Sequence, residues 1–235
     1  MSADRLLAAA CARFPDRPAV MFAGHTWTFR EFSEASGRLA AMLQERGVAA
    51  GDLIGLLMPN RPEWLFWFVA ISRIGGIAVP INPAYTPNEI RSILAFAGLR
   101  ILVLDAQLAS TLDAELLRQH LSDVLMVEGR GEDERTSSPR VGAPGAEVSA
   151  CPASAAAVIY FSSGSTGTPK GVVHSRRNLE LIVGAVRANW QLRSEDSILV
   201  AMPLAFVYAS VVESLTAISA GATIFSRTGS GRRRR

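Results

Sequence analysis

Short apolar runs alternate with helical patterns along this chain, and that alternation narrows the fold more than any other feature. Leu53 to Met58 is an apolar run of strand length that stops at Pro59-Asn60. Pro62 then opens a helix reaching about Ile74, since proline suits a first turn whose amides lack intrahelical partners. Ile77 to Val79 is extended again, Pro87 starts a further helix and Gly98 ends it. Arg100 to Leu104 supplies the next strand, a helix follows from Leu112 to His120, and Val124 to Val127 is extended. Strands with consecutive apolar residues need cover on both faces. With helices between them, they predict an α/β fold of layered, parallel-rich sheets with flanking helices.

Local signals agree with this reading. Thr28 followed by Glu31 has the form of a capping box, and Phe32, Ala35, Leu39 and Leu43 recur at helical spacing before Gly47. Gly129 to Pro152 has no sustained period and reads as a surface loop, because α/β alternation resumes beyond it. With 235 residues, 49% of them apolar, the chain can bury a large core and is not disordered throughout. The most membrane-like stretch, Trp64 to Ile81, holds Arg73, two adjacent glycines and Pro80, so it divides into a buried helix and a strand and no transmembrane segment is expected.

Charge and cysteine usage exclude some functions. The net charge is +3, but Arg232 to Arg235 account for it at the extreme end, without an aromatic platform or a basic helix. No nucleic-acid partner is expected. Cys11 and Cys151 are too few and too distant for a disulfide framework, and Met1 to Arg13 lacks a signal-peptide pattern, so a cytoplasmic location is expected. The cysteines do not match metal-ligand spacing, and no metal-binding residue is assigned. His25 and His120 have surface-like neighbours and carry no site signal.

The sharpest signal follows a strand-like run from Ala155 to Tyr160. It reads Phe161-Ser162-Ser163-Gly164-Ser165-Thr166-Gly167-Thr168-Pro169-Lys170-Gly171. Small residues let a backbone approach a ligand closely and aim successive amides at it, and hydroxyls add donors. Of 24 Lys and Arg residues, Lys170 is the single lysine, and it stands in this loop as a mobile cation suited to phosphate. A flexible Ser/Gly turn between strands has the same composition, so both readings stand on the residues alone. The segment is not a Walker A loop, which needs Gly before and Ser or Thr after the lysine. Here Pro169 precedes Lys170 and Gly171 follows. Val172 to His174 is instead extended, and a helix starts near Ser175 and runs through Leu179, Ile182, Val183 and Val186.

Tyr160 through Val172 resembles the phosphate-binding signature of the adenylate-forming (AMP-binding) enzyme superfamily. That group includes acyl- and aryl-CoA synthetases, luciferases and peptide-synthetase adenylation domains. Trp27-Thr28-Phe29, Gly51-Asp52, Met58-Pro59-Asn60, the run from Gly75 to Pro83 and Tyr85 to Ile90 resemble family positions too, so the likeness covers about residues 10–225. It implies the N-terminal portion of an acyl-CoA ligase, with residues 1–226 forming an incomplete large domain and 227–235 an atypical Arg-rich tail. It further implies ATP, Mg2+ and coenzyme A as cofactors and a small-molecule carboxylic acid as substrate. The acid is activated as an acyl-adenylate and then passed to the thiol of coenzyme A. By this likeness Ser162 to Gly171 hold the β- and γ-phosphates, and Lys170 offsets charge on the departing pyrophosphate.

The next family landmark, a Pro-Leu-aromatic-His stretch bordering the acyl pocket, matches Met202 to Ala209, with Phe206 at the histidine position. Phe206 cannot titrate or donate a hydrogen bond. It and Val207 are expected to shape an apolar pocket wall, with a core role for Phe206 as the competing expectation. His174 resembles a residue of the stretch after the loop, and equally reads as a solvated helix start. Gly221 to Phe225 resembles the family strand after the pocket stretch. The adenine-binding segment and the small C-terminal domain with its lysine have no counterpart here. The isolated chain is therefore expected to adenylate poorly and to aggregate. A non-catalytic nucleotide-binding or protein-interaction module is the alternative, and a truncated product without a present function is a further one.

Overall fold

The computed structural model describes residues 2–128, 151–162 and 169–226. Most of the predicted surface loop (129–150) and the Arg-rich tail (227–235) lie outside the described residues. The elements run α1 (Ala3–Arg13), β1 (Pro18–Phe22), β2 (His25–Thr28), α2 (Phe29–Glu45), β3 (Leu53–Leu57), α3 (Pro62–Arg73), β4 (Ile77–Ile81) and α4 (Pro87–Ala97). They continue with β5 (Ile101–Asp105), α5 (Ala106–Ala109), α6 (Ala114–His120), β6 (Asp123–Val127), β7 (Ala156–Ser162), β8 (Lys170–Ser175) and α7 (Arg176–Trp190). The described part closes with β9 (Ser197–Val200), a π-helix (Tyr208–Leu215), α8 (Thr216–Ala220) and β10 (Thr223–Ser226).

Two sheets organise these elements. One has the order β6-β5-β3-β4-β7-β8 and the other β2-β1-β10-β9. Pairing is parallel throughout except at β1–β2 and β7–β8. Burial explains why the central strands read as continuous apolar runs. Ile54 and Leu56 of β3 belong to one core cluster, whereas Leu57 joins Val79, Leu102 and Leu104 in a second. Successive side chains thus serve opposite faces, and both faces are covered.

Helix α3 is buried from Trp64 to Ile71 and packs against β1 of one sheet and β3 and β4 of the other. A helix apolar all round belongs between layers. The division of Trp64 to Ile81 into helix and strand is therefore what the fold contains. Among the described residues no helix is long and apolar enough to cross a membrane.

Caps fix the helix ends. Thr28 accepts from the Glu31 amide and Glu31 returns a bond to the Thr28 amide, which completes the predicted capping box. Thr86 and Glu89 repeat the device at α4, which Gly98 ends in the left-handed conformation. The predicted helix from Leu112 starts at Ala114 instead, because the Asp113 carboxylate accepts from the Glu115 amide and caps it there.

Candidate functional site

The predicted phosphate-loop segment begins at the end of one strand of a hairpin and ends at the start of the other. Strand β7 pairs in parallel with β4 through Val158 and Ala78, and β8 returns antiparallel beside it. The register sets Ser162 opposite Lys170, Phe161 opposite Gly171, Tyr160 opposite Val172 and Val158 opposite His174. The segment leaving Ser162 therefore re-enters the sheet beside it at Lys170. Ser163, Gly164, Ser165, Thr166, Gly167 and Thr168 lie outside the described residues. Pro169 is half-buried just before β8. Lys170 is exposed and takes no carboxylate partner among the described residues. The chain continues past Lys170 as strand, as predicted, and the Ser175 hydroxyl caps α7 by accepting from the Asn178 amide.

Packing anchors the hairpin near Phe161. The Tyr85 hydroxyl donates to the Phe161 carbonyl at 3.2 Å, and the Phe96 ring meets the Phe161 ring edge-on at 6.2 Å. Burial, reinforced by the charge of Glu89, raises the Tyr85 pKa and keeps the phenol protonated as a donor. Gly171 is tightly packed. A Cβ there would meet Ile159 Cγ2 at 3.0 Å and the Phe161 ring at 3.3 Å.

The second part of the site is the turn carrying Phe206 and Val207. Asn60, 7% exposed, holds it in place. Its Nδ2 donates to the Met202 carbonyl and its Oδ1 accepts from the Leu204 amide, both at 2.7 Å. The Phe206 amide then donates to the Pro203 carbonyl at 3.0 Å and closes the turn. Phe206 is 36% exposed, which corrects the expectation of a core aromatic: the turn directs its ring outward, while Leu204 and Ala205 face the interior. Val207 is half-buried, and Met202 and Tyr208 are exposed, so this segment presents apolar surface.

One contact joins the two parts. The Tyr160 hydroxyl lies 2.6 Å from Ser210 Oγ, and Ser210 Oγ donates to the Phe206 carbonyl at 2.8 Å. Nothing local in the sequence signals the contact between Tyr160 and Ser210, because 50 residues separate them. Asn60 offers a weak one, as a polar residue ending an otherwise apolar run. His174 is not a solvated helix start: it lies within β8, its ring edge-on to Tyr160 at 5.8 Å.

Further along the carboxyl edge of the sheet, Arg61 bridges β3 and β5. It bonds Asp105 at 2.7 Å, Glu63 at 2.9 Å and the Glu128 carbonyl at 2.9 Å. Its charge is thereby committed within the fold. Among the described residues no group of three or more His, Cys, Asp or Glu clusters as metal ligands.

The sequence profile of the AMP-binding enzyme family matches residues 7–234, and the chain belongs to that family. Among its relatives, 4-coumarate–CoA ligase 5 of Oryza sativa subsp. japonica is 33% identical over 211 residues, 86% of this chain and 38% of that protein. Long-chain-fatty-acid–CoA ligase FadD13 of Mycobacterium tuberculosis is 29% identical over 85% of this chain and 39% of its own length. The chain thus spans about two fifths of these ligases, as 38% and 39%. The anthranilate CoA ligase AuaEII, solved with anthranoyl-AMP, superposes with a TM-score of 0.86 over 99% of this chain and 46% of that one, and at 24% identity establishes a shared fold. VinN, solved with 3-methylaspartate, gives 0.81 at 26% identity over 96% of this chain and 61% of its own.

Proposed function

We propose that this chain is the phosphate- and acyl-binding portion of a ligase that activates a carboxylic acid with ATP and transfers the acyl group to coenzyme A. One carboxylate oxygen attacks the α-phosphorus, the bond to the bridging β-phosphate oxygen breaks, and pyrophosphate leaves. The thiol sulfur then attacks the acyl carbon, AMP leaves, and the thiol proton is released. The observation that carries this reading is the pairing of Ser162 with Lys170 across the mouth of the hairpin, at the carboxyl end of a parallel strand. It supports a loop with a lysine at its exit that takes no carboxylate partner among the described residues, where phosphate charge would be met. Lys170 would offset charge accumulating on the departing pyrophosphate, together with Mg2+.

The acid is expected to be apolar, because Met202, Phe206 and Tyr208 expose apolar surface on the pocket-bordering segment. Lys170→Ala in the longer ligase is expected to lower acid-dependent ATP–pyrophosphate exchange by about tenfold or more, the scale of one charged hydrogen bond. Unchanged exchange would overturn the assignment. Phe206, in place of a group able to move a proton, favours a second reading: a module that binds nucleotide without turnover. ATP binding with no acid-dependent exchange in the longer protein would select it.

A further inference from the structure

Strand β7 sends its side chains alternately to two layers. Ile159 and Phe161 pack with the cluster around α4, while Val158 and Tyr160 enter the other core. Tyr160 is 8% exposed, and a phenol buried there needs a hydrogen-bond partner. It finds Ser210, in the first turn of the π-helix, and proton counting fixes the direction. Ser210 has one hydroxyl proton, which goes to the Phe206 carbonyl at 2.8 Å. Its oxygen must then accept at the 2.6 Å contact, so Tyr160 is the donor. The result is a directed chain from Tyr160 O–H through Ser210 O–H to the Phe206 carbonyl. Burial pushes the Tyr160 phenol far above its ordinary range, which keeps the donor protonated. The Phe206 carbonyl also accepts from the Ser210 amide at 3.1 Å, so this one turn closes through the same residue.

Tyr160 lies two residues before Ser162, where the loop leaves the sheet, and Phe206 bears the exposed ring of the apolar segment. The intervening backbone between the two halves is long, whereas the polar chain is direct. We propose that Tyr160 and Ser210 are positioning residues, a tether that couples the order of the loop-bearing hairpin to the order of the Phe206 turn. Each side is then held in register by the other. Because the contact is shared, ordering one segment lowers the cost of ordering the other. π-Helical turns recur at functional sites, and the one beginning at Tyr208 carries Ser210, the middle group of this tether. The functional side of the inference rests on the phosphate-loop reading, but the tether does not.

The test is hydrogen exchange measured on the whole chain and on its Tyr160→Phe and Ser210→Ala variants. Tyr160→Phe keeps the ring and removes only the donor. It is expected to speed exchange of the Leu204–Ser210 amides by about fivefold, across the contact from the substitution. Ser210→Ala is expected to speed exchange in β7 and β8 to a similar degree, again across the contact. Helix α2 should keep its rates in both, and the double variant should add little to either single one. Effects confined to the substituted side, or an equal acceleration everywhere including α2, would overturn the tether. In the wild type, Mg-ATP should slow exchange in β8 and also at Leu204–Ser210, and Tyr160→Phe should abolish only the second effect. If Mg-ATP protects nothing, the ligand reading of the loop fails, while the reciprocal effects without ligand still decide the tether.

Discussion

Replacing Asn60 with alanine tests how the apolar segment is held. The side chain is 7% exposed and serves two backbone groups at once, the Met202 carbonyl and the buried Leu204 amide, each at 2.7 Å. Alanine leaves both without a partner. Stranding a buried donor or acceptor costs about 1–3 kcal/mol, so the pair is worth roughly 2–4 kcal/mol after partial relaxation. That is a large part of the ~5–15 kcal/mol that keeps a domain folded. Urea denaturation should show a lower midpoint with an unchanged slope, and hydrogen exchange should show the Leu204 amide losing its protection. Asn60→Asp separates the two bonds. It keeps an acceptor for the Leu204 amide but sets a carboxylate against the Met202 carbonyl, and should destabilise at least as much at neutral pH. A loss below about 0.5 kcal/mol in Asn60→Ala, the scale of an indifferent surface substitution, with Leu204 still protected, would refute the clamp.

Three further outcomes follow from named contacts. Asp105→Asn leaves Arg61 short of a buried counter-charge, with side-chain exposures of 8% and 3% for Arg61 and Asp105, and should lower stability by about 3 kcal/mol in urea; a change within 0.5 kcal/mol would contradict it. Gly221→Ala should lower the melting temperature by several degrees, about 2 kcal/mol, because φ is +76° there and the new Cβ would lie 2.4 Å from Phe14 Cδ2; an unshifted melt would show that Phe14 moves aside freely. Tyr160 titrates in the fold above its ordinary 10.0 because burial disfavours the phenolate, so the folded state keeps a proton that the unfolded state releases, and stability should fall as pH rises above about 10. Tyr160→Phe should show a shallower alkaline decline in urea midpoints, and identical slopes would remove the buried phenol from the account.

Much of the layered core was legible because single residues carry it. Pro62 at the start of α3, the Thr28–Glu31 box and the left-handed Gly98 act through their own backbone and nearest neighbours. The β1–β2 hairpin was not. Its two-residue turn takes positive φ at both Ala23 and Gly24, 49° and 84°, and alanine gives no such signal. Strand β9 has four residues and becomes a strand only by pairing with β10, which joins Leu199 to Phe225. Within the π-helix the Ser214 hydroxyl donates to the Ala209 carbonyl five residues back at 2.7 Å, a contact that a 3.6-residue period does not signal. At the site, Lys170 and Gly171 were visible in the motif, whereas Asn60, Tyr160 and Ser210 act across 50 to 144 residues of chain. Such partners emerge only once the sheets are assembled.

The central claim, that the hairpin loop with Lys170 takes nucleotide phosphate, is tested most directly by calorimetric titration of the chain with Mg-ATP and with Mg-AMP. A loop that holds the β- and γ-phosphates should bind ATP about tenfold or more tighter than AMP, and Lys170→Ala should erase most of that difference while leaving AMP unaffected. Equal affinities for the two nucleotides, or an ATP affinity indifferent to Lys170, would contradict it.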